Sequence, residues 1–283
     1  MALAIVTDST SDIDPVRAAS LGLTVVPLFV VFGDRSYRDY VDMTRREFFD
    51  RLESGELPMT SQPTAKMFEE AFAPIVARGD SILCITISSY LSGTINAARA
   101  AAQHFPDAKI EIYDSQSAAG GLGMMAIRAH ELASGGAALQ DILDALDRER
   151  STQRLYACIP DLSHLQRNGR IGRAQAVLGS FMKIVPVLCL KDGQVAAEAS
   201  VRTFSRAQET MLDLTMRAAP DVAKARFLVM HTDAPQLADA AMEKLKGRLG
   251  GIRPRMLEIL EAGPAIATHA GAGAVGIFVA QDE

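Results

Sequence analysis

Hydroxyl side chains are concentrated in three short segments of this chain: Thr7-Asp8-Ser9-Thr10-Ser11-Asp12, Ser88-Ser89-Tyr90-Leu91-Ser92-Gly93-Thr94 and Asp114-Ser115-Gln116-Ser117. Hydroxyls and backbone N–H groups gathered at one place hold a carboxylate or a phosphate without a rigid ion pair. The second segment is the densest, and Gly93 lets its backbone wrap an anion. The first segment has a plainer reading as well, because Asp and Ser after a strand commonly cap the next helix. Acyl transfer through Ser92 or Ser9 would require a base, and the chain has no G-x-S-x-G elbow. His269 stands among small residues in Thr268-His269-Ala270-Gly271-Ala272-Gly273, read as a loop in which backbone can approach a ligand closely. His104, His130 and His164 have no special neighbours in sequence and read as surface or packing residues. Gly271 and Gly273 are too few for a dinucleotide fingerprint, and Gly120-Gly121-x-Gly123 lacks both the full spacing and a strand immediately before it.

The elements that must position these groups follow from the apolar pattern. Leu3 to Val6, Ile82 to Ile87 and Ile110 to Tyr113 precede the three hydroxyl segments and read as buried parallel strands, each followed by a helical pattern. In an open sheet of this kind the ligand crevice lies at the carboxyl ends of the strands. A helix near Pro15 to Ser20 is stopped by Gly22, and Leu23 to Phe32 reads as one further strand. Thr44 and Glu47 form a capping-box pattern, and a helix after Pro63 carries Met67, Phe68, Ala71, Phe72 and Ile75 on one face. An alanine-rich helix follows Gly93, and Gly120 to Ser134 and Leu139 to Arg150 give two more. Beyond about residue 152 the pattern changes. Leu155 to Ile159 is strand-like, and Pro186 to Leu190 and Gln194 to Ala199 flank Asp192-Gly193, a hairpin signal. Helices at Arg206 to Ala218 and Gln236 to Leu249 interleave with strands at Arg226 to His231, Arg255 to Leu260 and Val275 to Val279. The fold class expected is α/β with two domains. Residues 1–152 form an N-terminal doubly wound, mainly parallel sheet and residues 153–283 a C-terminal α+β domain.

Composition narrows the function classes. At 283 residues the chain exceeds the usual single-domain size, and a net charge of −5 with no basic stripe argues against a nucleic-acid partner. The longest apolar stretch, Thr24 to Phe32, is nine residues and contains Pro27. A membrane span needs roughly 20, so integral membrane association is not expected. The N-terminal run lacks the charged-then-apolar plan of a signal peptide, and a cytoplasmic location is expected. Cys84, Cys158 and Cys189 are odd in number, widely spaced and set in apolar strand-like segments, which marks core thiols. No CxxC, HExxH or clustered His/Cys/Asp set calls for a metal, and no cofactor is expected.

Seven segments in order resemble the DegV family of fatty-acid-binding proteins: Thr7 to Asp12, Thr60-Ser61-Gln62-Pro63, Ser88 to Thr94, Asp114-Ser115, Gly169-Arg170-Ile171, Val201-Arg202-Thr203 and His269 to Gly273. Each is short, but together they span essentially the whole chain. The resemblance implies one long-chain fatty acid in a tunnel between the two domains, presented to a separate ATP-binding, dihydroxyacetone-kinase-like subunit that phosphorylates the carboxylate. It assigns the carboxylate to Thr60, Ser92, Gly93 and His269, and places Arg170 and Arg202 where the acyl phosphate or the partner would be met. No catalytic residue is assigned, because phosphoryl transfer needs positioned Mg²⁺ and phosphate donors, and the chain has no P-loop. Each buried methylene contributes about 0.8 kcal/mol, so retention of lipid through purification is expected.

Two other readings stay open: a lipid sensor or transporter without a kinase partner, and a hydrolase using Ser92 or Ser9 with His269. Four positions depart from the family pattern. Ala272 stands where proline is usual, Asn168 where glycine is commoner, and Val185 and Ser200 where lysines are frequent. The lost lysines bear on partner docking more than on the carboxylate.

Overall fold

The structure, a computed structural model, describes residues 2–178 and 184–281. The chain forms two compact units, Met1–Arg150 with Gly263–Ala265, and Ser151–Ala262 with Ile266–Glu283.

In the first unit the strands are β1 (Leu3–Asp8), β2 (Thr24–Val26), β3 (Phe29–Phe32), β4 (Arg35–Arg38), β5 (Met59–Ser61), β6 (Ser81–Thr86) and β7 (Ile110–Asp114). A four-stranded sheet of order β2-β1-β6-β7 is parallel throughout. Its strands are continuous apolar runs because helices cover both faces. The helices Ala65–Ala77 and Thr94–Ala102 bury Phe68, Phe72, Ala98 and Ala101 with Val6, Ile82 and Cys84 on one face. On the other face lies the helix Ala119–Ser134, with Leu122, Met125 and Ala126 at 0% exposure. The loop ends of β1, β6 and β7, where the hydroxyl segments stand, therefore share one edge of the sheet.

The run Leu23 to Phe32 does not form one strand. Pro27 has no N–H to give to a ladder, and the chain breaks there into β2, beside β1, and β3, which pairs antiparallel with β4 and β5 in a separate three-stranded sheet. This small sheet carries Thr60, opposite Val30. The capping box forms as expected: Thr44 accepts from Glu47 N–H and Glu47 accepts from Thr44 N–H, opening the helix Arg45–Glu53.

In the second unit the strands are β8 (Arg154–Cys158), β9 (Val185–Lys191), β10 (Gln194–Val201), β11 (Ala225–His231), β12 (Met256–Glu261) and β13 (Val275–Gln281). They make a six-stranded mixed sheet of order β10-β9-β8-β13-β11-β12, parallel only between β11 and β12. Asp192 and Gly193 take φ of 50° and 75°, the left-handed pair that a two-residue hairpin requires. The helices Phe204–Ala218 and Pro235–Arg248 cover a core of Met211, Leu212, Phe227, Val229, Leu245 and Ile277. A smaller cluster of Leu165, Ile171, Ala174, Leu188 and Ala274 secures the segment from 163 to 174. Cys84, Cys158 and Cys189 are buried and unbridged.

Candidate functional site

The three hydroxyl segments of the first unit do different jobs. Asp8 caps a 3-10 turn, Ser9–Ser11, accepting from Thr10 N–H at 3.0 Å and from the Thr10 hydroxyl, while its other oxygen accepts Ile87 N–H at 2.8 Å. Ser9 Oγ accepts Leu28 N–H at 3.0 Å, and all three turn residues are buried. The first segment is thus a brace between β1 and β6, in line with its capping reading. Ser11 also explains a glycine: a Cβ at Gly123 would collide with the Ser11 carbonyl, so the glycines after Ala119 allow close packing. The third segment is a brace too. Asp114 Oδ1 accepts Ser89 N–H at 3.2 Å, the Ser117 carbonyl accepts Ser88 N–H at 2.8 Å, and Ser115 closes on Ser117.

What these braces hold is the second segment. Ser88 and Thr94 are buried, whereas Ser92 and Gly93 keep partial exposure. The Ser92 and Thr94 hydroxyls lie 2.8 Å apart, and Ser92 Oγ accepts Thr94 N–H at 3.3 Å. Gly93 is the N-cap of the helix Thr94–Ala102 and makes no side-chain cap bond, so the positive end of the helix dipole stands beside Ser92. The amide oxygen of Gln62 occupies the place a Cβ at Gly93 would take. Gln62 lies just beyond β5, which carries the half-buried Thr60. Two segments thirty residues apart in sequence, Thr60 to Gln62 and Ser92 to Gly93, are thereby brought together. The hydroxyl of Ser92 is bonded to another hydroxyl, which supplies no base.

The first unit also holds a set of buried acids, Asp8 and Asp12 of the first hydroxyl segment with Asp39. Asp12, in the left-handed region at φ 55°, accepts Gly263 N–H at 2.8 Å and the Tyr40 hydroxyl at 3.2 Å. Asp39 accepts Ala265 N–H at 3.3 Å and the Ser9 hydroxyl. Arg45 donates to the Tyr40 hydroxyl at 3.2 Å and lies over its ring at 5.1 Å. Burial is the main cause that pushes Asp12 up to about 8, with the Asp39 charge adding to it. Burial likewise lifts Asp39 to about 7 and Asp8 to about 6. Both Asp12 and Asp39 are at least 98% excluded from water, with exposures of 2% and 1%. The pair fastens the segment Gly263–Ala265 to the first unit.

In the second unit His269 is not in a loop. It stands in the last turn of the helix Pro264–Ala270, and the chain turns at Gly271 with φ 69°. Burial lowers its imidazole to about 4, with the Arg170 guanidinium and then His164 contributing, so it is neutral at pH 7. A neutral imidazole offers one donor and one acceptor. Arg170, in the turn after the helix Ser163–Arg167, donates to the Asn168 carbonyl at 2.6 Å. The structure therefore brings His269, Arg170 and His164 together, although His164 reads as an ordinary residue in sequence. Thr232 was also missed: its hydroxyl donates to the Gly271 carbonyl at 2.5 Å and accepts Ala274 N–H at 3.0 Å. Arg202 is exposed, just past the end of β10. Among the described residues no group of three or more His, Cys, Asp or Glu could hold a metal ion, and no helix is long and apolar enough to cross a membrane.

A family model described as "Uncharacterised protein, DegV family" matches residues 2–282. A DegV domain-containing protein of Deinococcus radiodurans is 34% identical over 278 residues, covering 98% of each chain. Among solved structures, a DegV family protein from Thermus thermophilus, described for its fatty acid binding, superposes with a TM-score of 0.93 at 34% identity over 100% of both chains. DegV of Bacillus subtilis, described as a fatty acid binding protein, gives 0.89 at 30% identity, again over 100% of both.

Proposed function

The chain belongs to the DegV family, and from that membership we propose that it binds one long-chain fatty acid through the carboxylate. The observation that carries this reading is the meeting of Gln62 with Gly93, which gathers Thr60, Ser92 and the N-terminus of the helix Thr94–Ala102 in one place. A carboxylate leaving water needs several charge-assisted hydrogen bonds to replace its hydration. Thr60 and Ser92 offer hydroxyls, Gly93 a backbone N–H, and His269 a neutral imidazole donor. The acyl chain requires only apolar volume, at about 0.8 kcal/mol per methylene before association costs are subtracted.

The finer part of the proposal is that the bound acid is presented to a separate ATP-binding kinase subunit and leaves as acyl phosphate. Arg170 and Arg202 are the guanidinium groups that would meet the acyl phosphate or the partner. The chemistry of the chain agrees with a presenting role, since the phosphates of ATP and Mg²⁺ need ligands that these residues do not supply.

Native mass spectrometry of the purified chain, followed by denaturing extraction, tests the first part. One long-chain fatty acid per chain is expected, and failure to take up added oleate or palmitate would refute it. Thr60→Ala and Ser92→Ala should each weaken oleate binding by roughly tenfold or more, the equivalent of one charge-assisted hydrogen bond. For the second part, hydroxylamine trapping of acyl phosphate should require ATP, this chain and the dihydroxyacetone-kinase-like subunit together. Trapping by this chain and ATP alone would place the catalysis here instead.

A further inference from the structure

Asn168 is bonded on three sides. It ends the helix Ser163–Arg167 and is 8% exposed. Its amide Nδ2 donates to the His164 carbonyl at 3.1 Å and to the Thr268 carbonyl at 3.3 Å, a hundred residues away. Its own carbonyl accepts from Arg170 Nη1 at 2.6 Å. The side chain therefore grips the peptide that leads into His269, and the main chain of the same residue holds the guanidinium of Arg170. Thr268 lies in the last turn of its helix, where carbonyls run out of intrahelical donors, and the Asn168 amide supplies one from another element.

The far side of His269 is braced by the same short helix. A Cβ at Gly271 would lie 2.7 Å from His164 Cδ2, so the His164 ring rests on the backbone immediately after His269. Asn168 before it and His164 after it thus bracket the backbone that carries His269. Of the common residues, Asn suits this place because both bonds made by its side chain go to carbonyl oxygens. A carboxylate there would set acceptor against acceptor, and glycine would make neither bond.

We infer that Asn168 is a positioning residue of the head-group site: its side-chain amide fixes the end of the helix that carries the His269 imidazole, beside the Arg170 guanidinium that its main-chain carbonyl holds, with His164 as the support behind Gly271. The inference rests on the reading that these two groups meet the carboxylate or phosphate of the acyl ligand.

Asn168→Gly and Asn168→Asp in the full chain test it. The backbone at this position has φ −83° and ψ 1°, open to any residue, so neither change strains the fold. The readouts are the titration midpoint of the His269 imidazole by NMR and the dissociation constant for oleate. Both variants are expected to raise the midpoint from about 4 toward the ordinary histidine value, as the helix end loosens and water reaches the imidazole, while the Arg170 bond to the main-chain carbonyl persists. Both should also weaken oleate roughly tenfold, or 1.4 kcal/mol. A purely structural role would lower the melting temperature and leave the His269 midpoint in place, and that result would overturn the inference. If the wild type binds no fatty acid at all, the functional reading fails. The midpoint shift in Asn168→Gly then decides the positioning role alone.

Discussion

Replacing Asp12 by Asn should make this protein more stable above neutral pH, the reverse of what losing a buried, hydrogen-bonded acid usually does. Asp12 is raised from an ordinary value of 3.8 to about 8, chiefly by burial. A carboxyl whose folded pKa is raised binds its proton more tightly folded than unfolded. Its contribution is therefore greatest below pH 4 and is lost as pH climbs toward 8. Between pH 5 and pH 8 the unfolded chain has released this proton and the folded chain mostly has not, a gap of nearly three pH units at about 1.36 kcal/mol each. That amounts to a loss on the order of 3 kcal/mol from Asp12 alone. Asp39, at about 7, adds a loss of the same sign in the same window. The groups facing Asp12 are Gly263 N–H, the Tyr40 hydroxyl, Asp39 and Arg45. Asn keeps an oxygen for the first two and removes the charge that burial penalises. Melting curves of wild type and Asp12→Asn at pH 5, 6.5 and 8 check this. At pH 5 the variant's advantage should be at its smallest of the three. At pH 8 the variant should melt roughly 6–10 °C higher, at a few degrees per kcal/mol for a chain of this size. If wild-type stability is flat or rises from pH 5 to 8 and the variant is weaker throughout, Asp12 is ionised and paired with Arg45, and the desolvation argument is wrong.

Gly93→Ala should displace the Gln62 side chain, the far end of a flexible group, and so change stability by less than about 1 kcal/mol while weakening oleate retention; calorimetric titration beside thermal melting separates the two. Gly263→Ala is different, because the new Cβ would lie 2.5 Å from the Tyr40 ring, which is held by Asp12 and Arg45. It should destabilise by about 1–3 kcal/mol, measured by urea unfolding, with Tyr40→Ala recovering part of the loss. Gly276→Ala on β13 meets Ala157 Cβ at 3.1 Å and the Tyr156 carbonyl at 3.2 Å, and should lower the melting temperature through the second unit without changing oleate affinity.

Long elements were legible because their apolar spacing is redundant. The helix Ala65–Ala77 repeats the pattern from Phe68 through Phe72 to Ile75, and the runs that became β1, β6 and β7 are each continuous enough to be buried on both faces. Short elements were not. β4 and β5 have only four and three residues, and their pairing with β3 depends on contacts made far along the chain. Pro27 was a visible signal that Leu23 to Phe32 could not be one strand, since a missing N–H interrupts a ladder wherever the proline falls. The helix Pro264–Ala270 was hidden by its own composition: alanine, threonine and a leading proline fit a helix start, but seven residues followed by glycines carry no amphipathic repeat.

The site divides along the same line, and the division is chemical. Residue type marks Ser92, Gly93, Thr60 and His269 as able to meet an anion. It does not distinguish them from Ser9 and Ser115, whose hydroxyls are of the same kind but are spent on backbone groups, at Leu28 and at Ser117. Burial and partners separate the two sets: Ser9 and Ser115 are 1% exposed and bonded to main-chain groups, whereas Ser92, bonded to Thr94, is partly exposed at a helix start beside Gln62. The same accounting finds Asn168, Thr232 and Asp12, each of which satisfies backbone groups far off in sequence, as at Thr268, Gly271 and Gly263. A positioning residue is known by its partners, and these partners lie between 39 and 251 residues away. At that separation nothing in local sequence can announce it.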